Sequence, residues 1–248
     1  MTRRLIMLDF DGVIVDSLEA TYAGAVQYLE EQGLDHLASP EAMLSMLDHN
    51  WYEGMARAGL PPGVADALDA ALMEGLRERI DEIEPVPGMP QVIERVSLRH
   101  TVVVITSNFG WFVDGVFRRL GVEGVTEVAG ADTDTSKVRK MAAARARHAH
   151  PGGCCYVGDT VGDIAEAREA GVPSVAVAWG WHPEERLRAA SPDAVARDPE
   201  ELARILTDGG GIFGDPGAHS PESRVETEVG AEAQDAGGPR DDDGVHTT

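Results

Sequence analysis

Four residues, Leu5-Ile6-Met7-Leu8, run without a polar break and then meet Asp9-Phe10-Asp11-Gly12. A short, wholly apolar segment with an abrupt polar end reads as a strand buried on both faces. Strands of that kind belong to parallel sheets covered by helices on each side. The pattern recurs: Thr101–Ile105 (TVVVI) is followed by Thr106-Ser107-Asn108, Cys154–Val157 by Gly158-Asp159, and Ser174–Ala178 is a further apolar run. Shorter strands are expected at Val125–Ala129 and Asp193–Ala196. Helical segments separate them, at Val113–Leu120, Lys137–His148, Ile164–Ala170, Pro183–Ala190 and Pro199–Leu206.

This alternation predicts an α/β fold with a doubly wound, Rossmann-like parallel sheet, whose ligands bind beyond the carboxyl ends of the strands. Between Asp16 and Pro85 the alternation stops. Three helical segments are expected there, near residues 18–32, 40–58 and 64–83, with breaks at Gly33, at Gly59–Gly63 and at Pro85–Gly88. The reading is therefore a catalytic core of residues 1–16 and 86–208, interrupted by an all-helical cap at 17–85. From Gly209 onward Gly, Pro and acids dominate without apolar periodicity, and residues 209–248 are expected to form a disordered acidic tail.

The formal net charge is −22. Nine acids and two arginines in residues 209–248 account for −7, which leaves −15 for residues 1–208. Such a chain offers no basic patch for nucleic acid. No apolar stretch reaches the ~20 residues that span a bilayer, and the run after Arg4 is too short for a secretory signal, so a cytoplasmic protein is expected. Cys154 and Cys155 are neighbours on a predicted strand; they point to opposite sides and read as two buried thiols.

The strand ends carry the chemistry. Residues i and i+2 of a strand face one side, so Asp9 and Asp11 are expected to stand together, where two anions repel unless a cation compensates them. A parallel sheet gathers Ser107-Asn108, Lys137, Asp159 and Asp163 at the same rim. Taken singly, these residues serve equally well as turn formers, helix caps or first-turn acids. Taken together, Asp9, Asp11, Asp159 and Asp163 make a hard-oxygen site suited to Mg²⁺, which takes six oxygens at ~2.1 Å and often shares them with a phosphate. Lys137 and Ser107 would then serve the phosphate.

In order, DFDGVIVDS, the apolar run ending in Ser107-Asn108, Lys137, and VGDTVGDIAEAREAG resemble the four motifs of the haloacid dehalogenase superfamily of phosphohydrolases, over about residues 4–206. The resemblance implies that Asp9 is the nucleophile and that Asp11 protonates the leaving oxygen and then activates water. It implies Mg²⁺ held by the Asp9 carboxylate, the Asp11 carbonyl and Asp159, with Asp163 bound directly or through water. Ser107 and Lys137 would bind phosphate oxygens, joined by backbone N–H groups near Gly12 and Asn108. The insert resembles the cap placed after the first motif in one subfamily, with His49, Asn50, Trp51 and Arg57 as candidates to face substrate; Trp179 and Trp181 are assigned to packing. Phosphoglycolate phosphatases often carry a lysine after the second-motif Asn, where this chain has Phe109. The expected activity is Mg²⁺-dependent hydrolysis of a small metabolite's phosphate monoester, as in phosphoglycolate phosphatases. A sugar phosphomutase, a silent phosphate-binding regulator and a receiver-type phosphoacceptor are the alternatives.

Overall fold

The computed structural model describes residues 2–208 and 211–213. Its strands are β1 (Leu5–Leu8), β2 (Val15–Asp16), β3 (Glu84–Pro85), β4 (Thr101–Ile105), β5 (Glu127–Ala129), β6 (Cys154–Gly158), β7 (Ser174–Val177) and β8 (Ala194–Ala196). Six of them form one parallel sheet in the order β5-β4-β1-β6-β7-β8. Because Leu5 to Leu8 pairs with Thr101 to Val104 on one side and Cys154 to Val157 on the other, the three central strands end level. That register brings the residues after each strand to a common rim.

Alternate strand residues face opposite ways, and both faces are covered. Ile6, Leu8, Val102, Val104, Cys155 and Val157 share one apolar cluster with residues of α5 (Met89–Ser97), α6 (Gly110–Leu120) and α10 (Pro199–Asp208). Leu5, Met7, Val103, Ile105, Cys154 and Tyr156 share the other with Met141 and Ala144 of α7 (Lys137–Arg147) and Ala167 of α8 (Val161–Glu169). The two cysteines thus lie on opposite faces, buried and unbonded to each other, as expected. Leu187 of α9 (Glu184–Ala189) packs on Ile164 and Ala176.

The insert consists of α1 (Leu18–Glu31), α2 (Pro40–Met46), α3 (Trp51–Arg57) and α4 (Pro62–Glu78), with an apolar cluster that includes Ala25, Leu29, Met43, Met55, Leu68 and Leu72. Helices α1 and α4 meet at Gly24 and Gly75, where a Cβ on Gly75 would stand 2.4 Å from the Gly24 Cα. The single helix expected over 40–58 is two helices. Asn50 takes up an N-cap position and accepts a hydrogen bond from the Tyr52 N–H at 3.2 Å, which starts α3 afresh after Leu47. The two chain crossings between insert and core are joined by an antiparallel pair, Val15 with Pro85 and Asp16 with Glu84. This pair and α5 lay outside the sequence expectations.

One boundary moves. Ile212 is buried against the core cluster, and the Arg4 guanidinium lies 4.0 Å from the Phe213 ring centroid, so residues 211–213 pack on the core where disorder was expected from 209. Residues 214–248 of the expected tail lie outside the described residues. Among the described residues no helix is long and apolar enough to cross a membrane.

Candidate active site

The rim of the sheet gathers the predicted acids around one buried amine. Lys137, the first residue of α7, donates from Nζ to Asp9 Oδ2 and to Asp163 Oδ1, each at 2.7 Å. Both carboxylates and the amine are almost fully buried. Asp163 is held from every side. Its Oδ1 also accepts from the Tyr156 hydroxyl at 3.0 Å, and its Oδ2 accepts from the Asp159 and Thr160 N–H groups and the Thr160 hydroxyl at 3.2, 3.0 and 2.7 Å. Thr160 and Asp163 form a reciprocal capping box that starts α8.

The opening pair of acids is compensated separately. Asp9 has Lys137 and the Phe10 N–H, the latter at 2.8 Å. Asp11 has neutral donors, the Ser17 hydroxyl on Oδ1 and the Asn108 amide on Oδ2, both at 2.6 Å. Ser107 lies beside them on the wall of the cavity.

The charges do not balance. Burial pushes Asp9 up to about 8 even with Lys137 against it. Burial, Asp163 and Asp9 hold Asp159 well above the ordinary carboxylate range, and among the described residues its carboxylate accepts only the Trp181 N–H, at 2.7 Å. Asp163 is the exception: burial would raise it, but Lys137 and Thr160 outweigh that and hold it low. Burial would likewise lower Lys137, yet Asp163 and Asp9 keep it well above its ordinary value. Oxygens of Asp9, Asp159 and Asp163 all lie within 4.8 Å of one another. Three clustered carboxylates with one amine call for a further cation, and the oxygen-only donor set fits a hard divalent ion. The Asp11 carboxylate, tied to Ser17 and Asn108, is not in this group.

The Gly12 N–H donates to the Val15 carbonyl at 2.9 Å and the Asn108 N–H to the Thr106 hydroxyl at 3.0 Å, so these two groups are engaged in turns. Gly12 is needed for another reason: at φ +69° its absent Cβ would fall 2.1 Å from Asp159 Oδ2. Arg57 is exposed at the end of α3 and does not line the cavity. Several supporting residues escaped the sequence reading. Tyr156 carries a hydroxyl in an apolar strand. Lys140, one of the chain's two lysines, is buried and donates to the Thr106 carbonyl at 2.5 Å, with burial and Lys137 lowering it to about 8.

Above this polar floor is a cavity of about 400 Å³ roofed by the insert, lined by Leu18, Thr21 and Tyr22 of α1, Met43 and Leu44 of α2, Trp51 of α3, and Asp69, Leu72, Met73 and Leu76 of α4. Leu47, His49 and Trp181 also line it. Asn50 turns elsewhere, donating to Glu166 Oε1 at 2.9 Å. The roof is fastened to the core through the segment 44–50. His182 accepts the Val161 N–H at Nδ1 (3.0 Å), which leaves Nε2 to donate to the Leu44 carbonyl (3.0 Å). The Gly162 N–H donates to the Leu47 carbonyl at 3.1 Å, and Arg186 pairs with Asp48.

The profile of the haloacid dehalogenase-like hydrolase family matches residues 6–177, the span that contains every member of this floor. The chain belongs to that family. It is 29% identical over 206 residues to the phosphoglycolate phosphatase of Synechococcus elongatus, covering 82% of this chain and 96% of that protein. It is 25% identical over 218 residues to a 5'-nucleotidase of Pseudomonas aeruginosa, covering 81% and 94%. Among solved structures, a Pseudomonas syringae hydrolase superposes with TM-score 0.69 at 18% identity, covering 83% of this chain and 99% of that one. A haloacid dehalogenase-like hydrolase from Streptococcus pneumoniae superposes with TM-score 0.66 at 20% identity, with the same coverage.

Proposed function

We propose that this hydrolase is a Mg²⁺-dependent phosphatase that cleaves the phosphate monoester of a small metabolite through a phosphorylated Asp9. The observation that carries the reading is the buried Lys137 amine shared by Asp9 and Asp163 beneath a roofed cavity, with Asp159 beside them bonded, among the described residues, to the Trp181 N–H and to no cation. Asp9 and Asp159 would hold the ion, with Asp163 adjoining; bound there, it would offset charge on the phosphate and favour the ionised form of Asp9.

Asp9 attacks phosphorus, and the bond to the ester oxygen breaks as the aspartyl-phosphate forms. Asp11 gives the departing oxygen its proton. Burial raises the Asp11 carboxyl despite the bonds from Ser17 and Asn108, which suits a group that must carry a proton near neutrality and be held in one orientation. In the second half Asp11 takes a proton from water, whose oxygen attacks the phosphoryl group and releases inorganic phosphate and Asp9. Lys137 and the Ser107 hydroxyl meet the negative charge on the phosphoryl oxygens. The roof excludes bulk water during transfer.

The test is a rapid acid quench of the enzyme during turnover with Mg²⁺, followed by peptide mass analysis. The added mass of one phosphoryl group belongs on the peptide containing Asp9, with free inorganic phosphate as the product. An active enzyme that carries the label on another peptide, or returns an isomeric ester in place of free phosphate, contradicts the reading.

A further inference from the structure

We propose that the ester this enzyme cleaves has a bulky, uncharged alcohol with an apolar body as its leaving group, and not a short hydroxy acid. The inference rests on the phosphatase reading and narrows its substrate class. The phosphoryl group occupies only the floor, while the cavity of about 400 Å³ falls in the range of pockets that enclose drug-sized ligands. The cavity wall is mostly apolar, and Leu18, Met43, Leu44, Leu72, Met73 and Leu76 line it. An apolar body that leaves water for these walls gains roughly 25 cal/mol per Å² buried.

Charge decides against an acidic leaving group. Among the described residues that line the cavity, Lys137 is the one with a permanent positive charge, and it is already bound to Asp9 and Asp163 at the floor. The other charged residues that line the cavity, beyond Lys137 and the three carboxylates around it, are all acids: Asp11, Asp16, Glu19, Asp69 and Glu166. A carboxylate on the substrate would find no cation there and would lose its hydration beside these acids. Neutral polar groups are better served. Thr21 and Trp181 line the cavity, and the Thr21 hydroxyl and the Trp181 indole N–H are buried and lack a partner among the described residues. A single hydroxyl or ether oxygen on the alcohol would answer such groups, which seldom stay unpaired in a folded protein.

Three esters with similarly basic alkoxide leaving groups separate the possibilities: benzyl phosphate (apolar), 2-phosphoglycolate (anionic) and phosphocholine (cationic). Wild-type kcat/KM should favour benzyl phosphate over each of the others by at least roughly tenfold. Met73→Arg, which puts a cation into the roof, should raise the 2-phosphoglycolate to benzyl phosphate ratio by roughly tenfold or more. Equal or better use of 2-phosphoglycolate by the wild type overturns the inference, and so does phosphocholine as the best of the three. The wild-type comparison stands even if the variant fails to fold. Calorimetric binding of the same esters to Asp9→Asn with Mg²⁺ separates this inference from the one beneath it. Selective binding of benzyl phosphate without wild-type turnover supports the cavity's preference and refutes the phosphatase reading. Absence of both turnover and selective binding overturns the two together.

Discussion

The floor and the roof of the cavity are built on opposite principles. The floor packs Lys137, Asp9, Asp159 and Asp163 into a space with almost no solvent, tied to one another and to donors from strand ends and helix starts. The roof presents apolar side chains from four helices, and its polar ties to the core at segment 44–50 are a few hydrogen bonds and one ion pair. A buried charge network is sensitive to its partners, and loss of its single amine strands the carboxylates around it. An apolar wall tolerates changes of shape and sets which body fits. On the proposed reading, the chemistry resides in the floor and substrate choice in the roof.

The contrast breaks first if the floor proves dispensable. Asp9→Asn should cut kcat by roughly a thousandfold or more, with a melting temperature near wild type. Steady-state kinetics and thermal melting check both halves. Lys137→Met comes next. Leaving Asp9 and Asp163 side by side without the amine should cost about 3–5 kcal/mol of stability, read by denaturant unfolding, as well as activity. Lys137→Arg should not rescue it, because the planar fork cannot replace a point donor set between two carboxylates. Gly12→Ala, which drives a methyl into Asp159 at a positive φ, should raise the Mg²⁺ concentration needed for half-maximal activity.

The roof should answer differently. His182→Ala removes the link between Val161 and Leu44, and should raise KM several-fold more than it lowers kcat, with faster amide exchange in residues 44–50. The smallest effect belongs to Asp69, which accepts from the Trp51 indole at 3.2 Å while burial and Asp66 raise its pKa. A raised carboxyl binds its proton more tightly in the folded chain than in the unfolded one. Its charge therefore costs stability above the folded pKa, and that cost fades as pH falls toward the ordinary 3.8. Asp69→Asn keeps an acceptor for Trp51 and should raise the melting temperature slightly at pH 7, with the gain shrinking toward pH 4.

The same contrast governs what was legible in the sequence. The floor is written in local patterns: apolar runs ending in DFDG, TSN and GD, and the acid four residues after Asp159. The parallel arrangement then brings those ends together, so Asp9, Asp159, Asp163, Ser107 and Lys137 could be named as neighbours. The roof is not written that way. Helical spacing reveals that segments are amphipathic but not which residue meets a ligand, so Arg57 was placed toward substrate and is exposed. A helix break made by one capping side chain, Asn50, was hidden inside a helical stretch. His182 gains its meaning from a carbonyl 138 residues away. Even at the floor, the Gly12 and Asn108 N–H groups depended on turn geometry that spacing does not encode.

The central claim is that the floor's surplus of negative charge holds one divalent ion, chiefly through Asp159 and Asp9. Calorimetric titration of Mg²⁺ into the wild type and into Asp159→Asn tests it directly. One ion should bind the wild-type chain, and the heat of binding should vanish in the variant while its fold persists. Unchanged Mg²⁺ binding in Asp159→Asn would contradict the account.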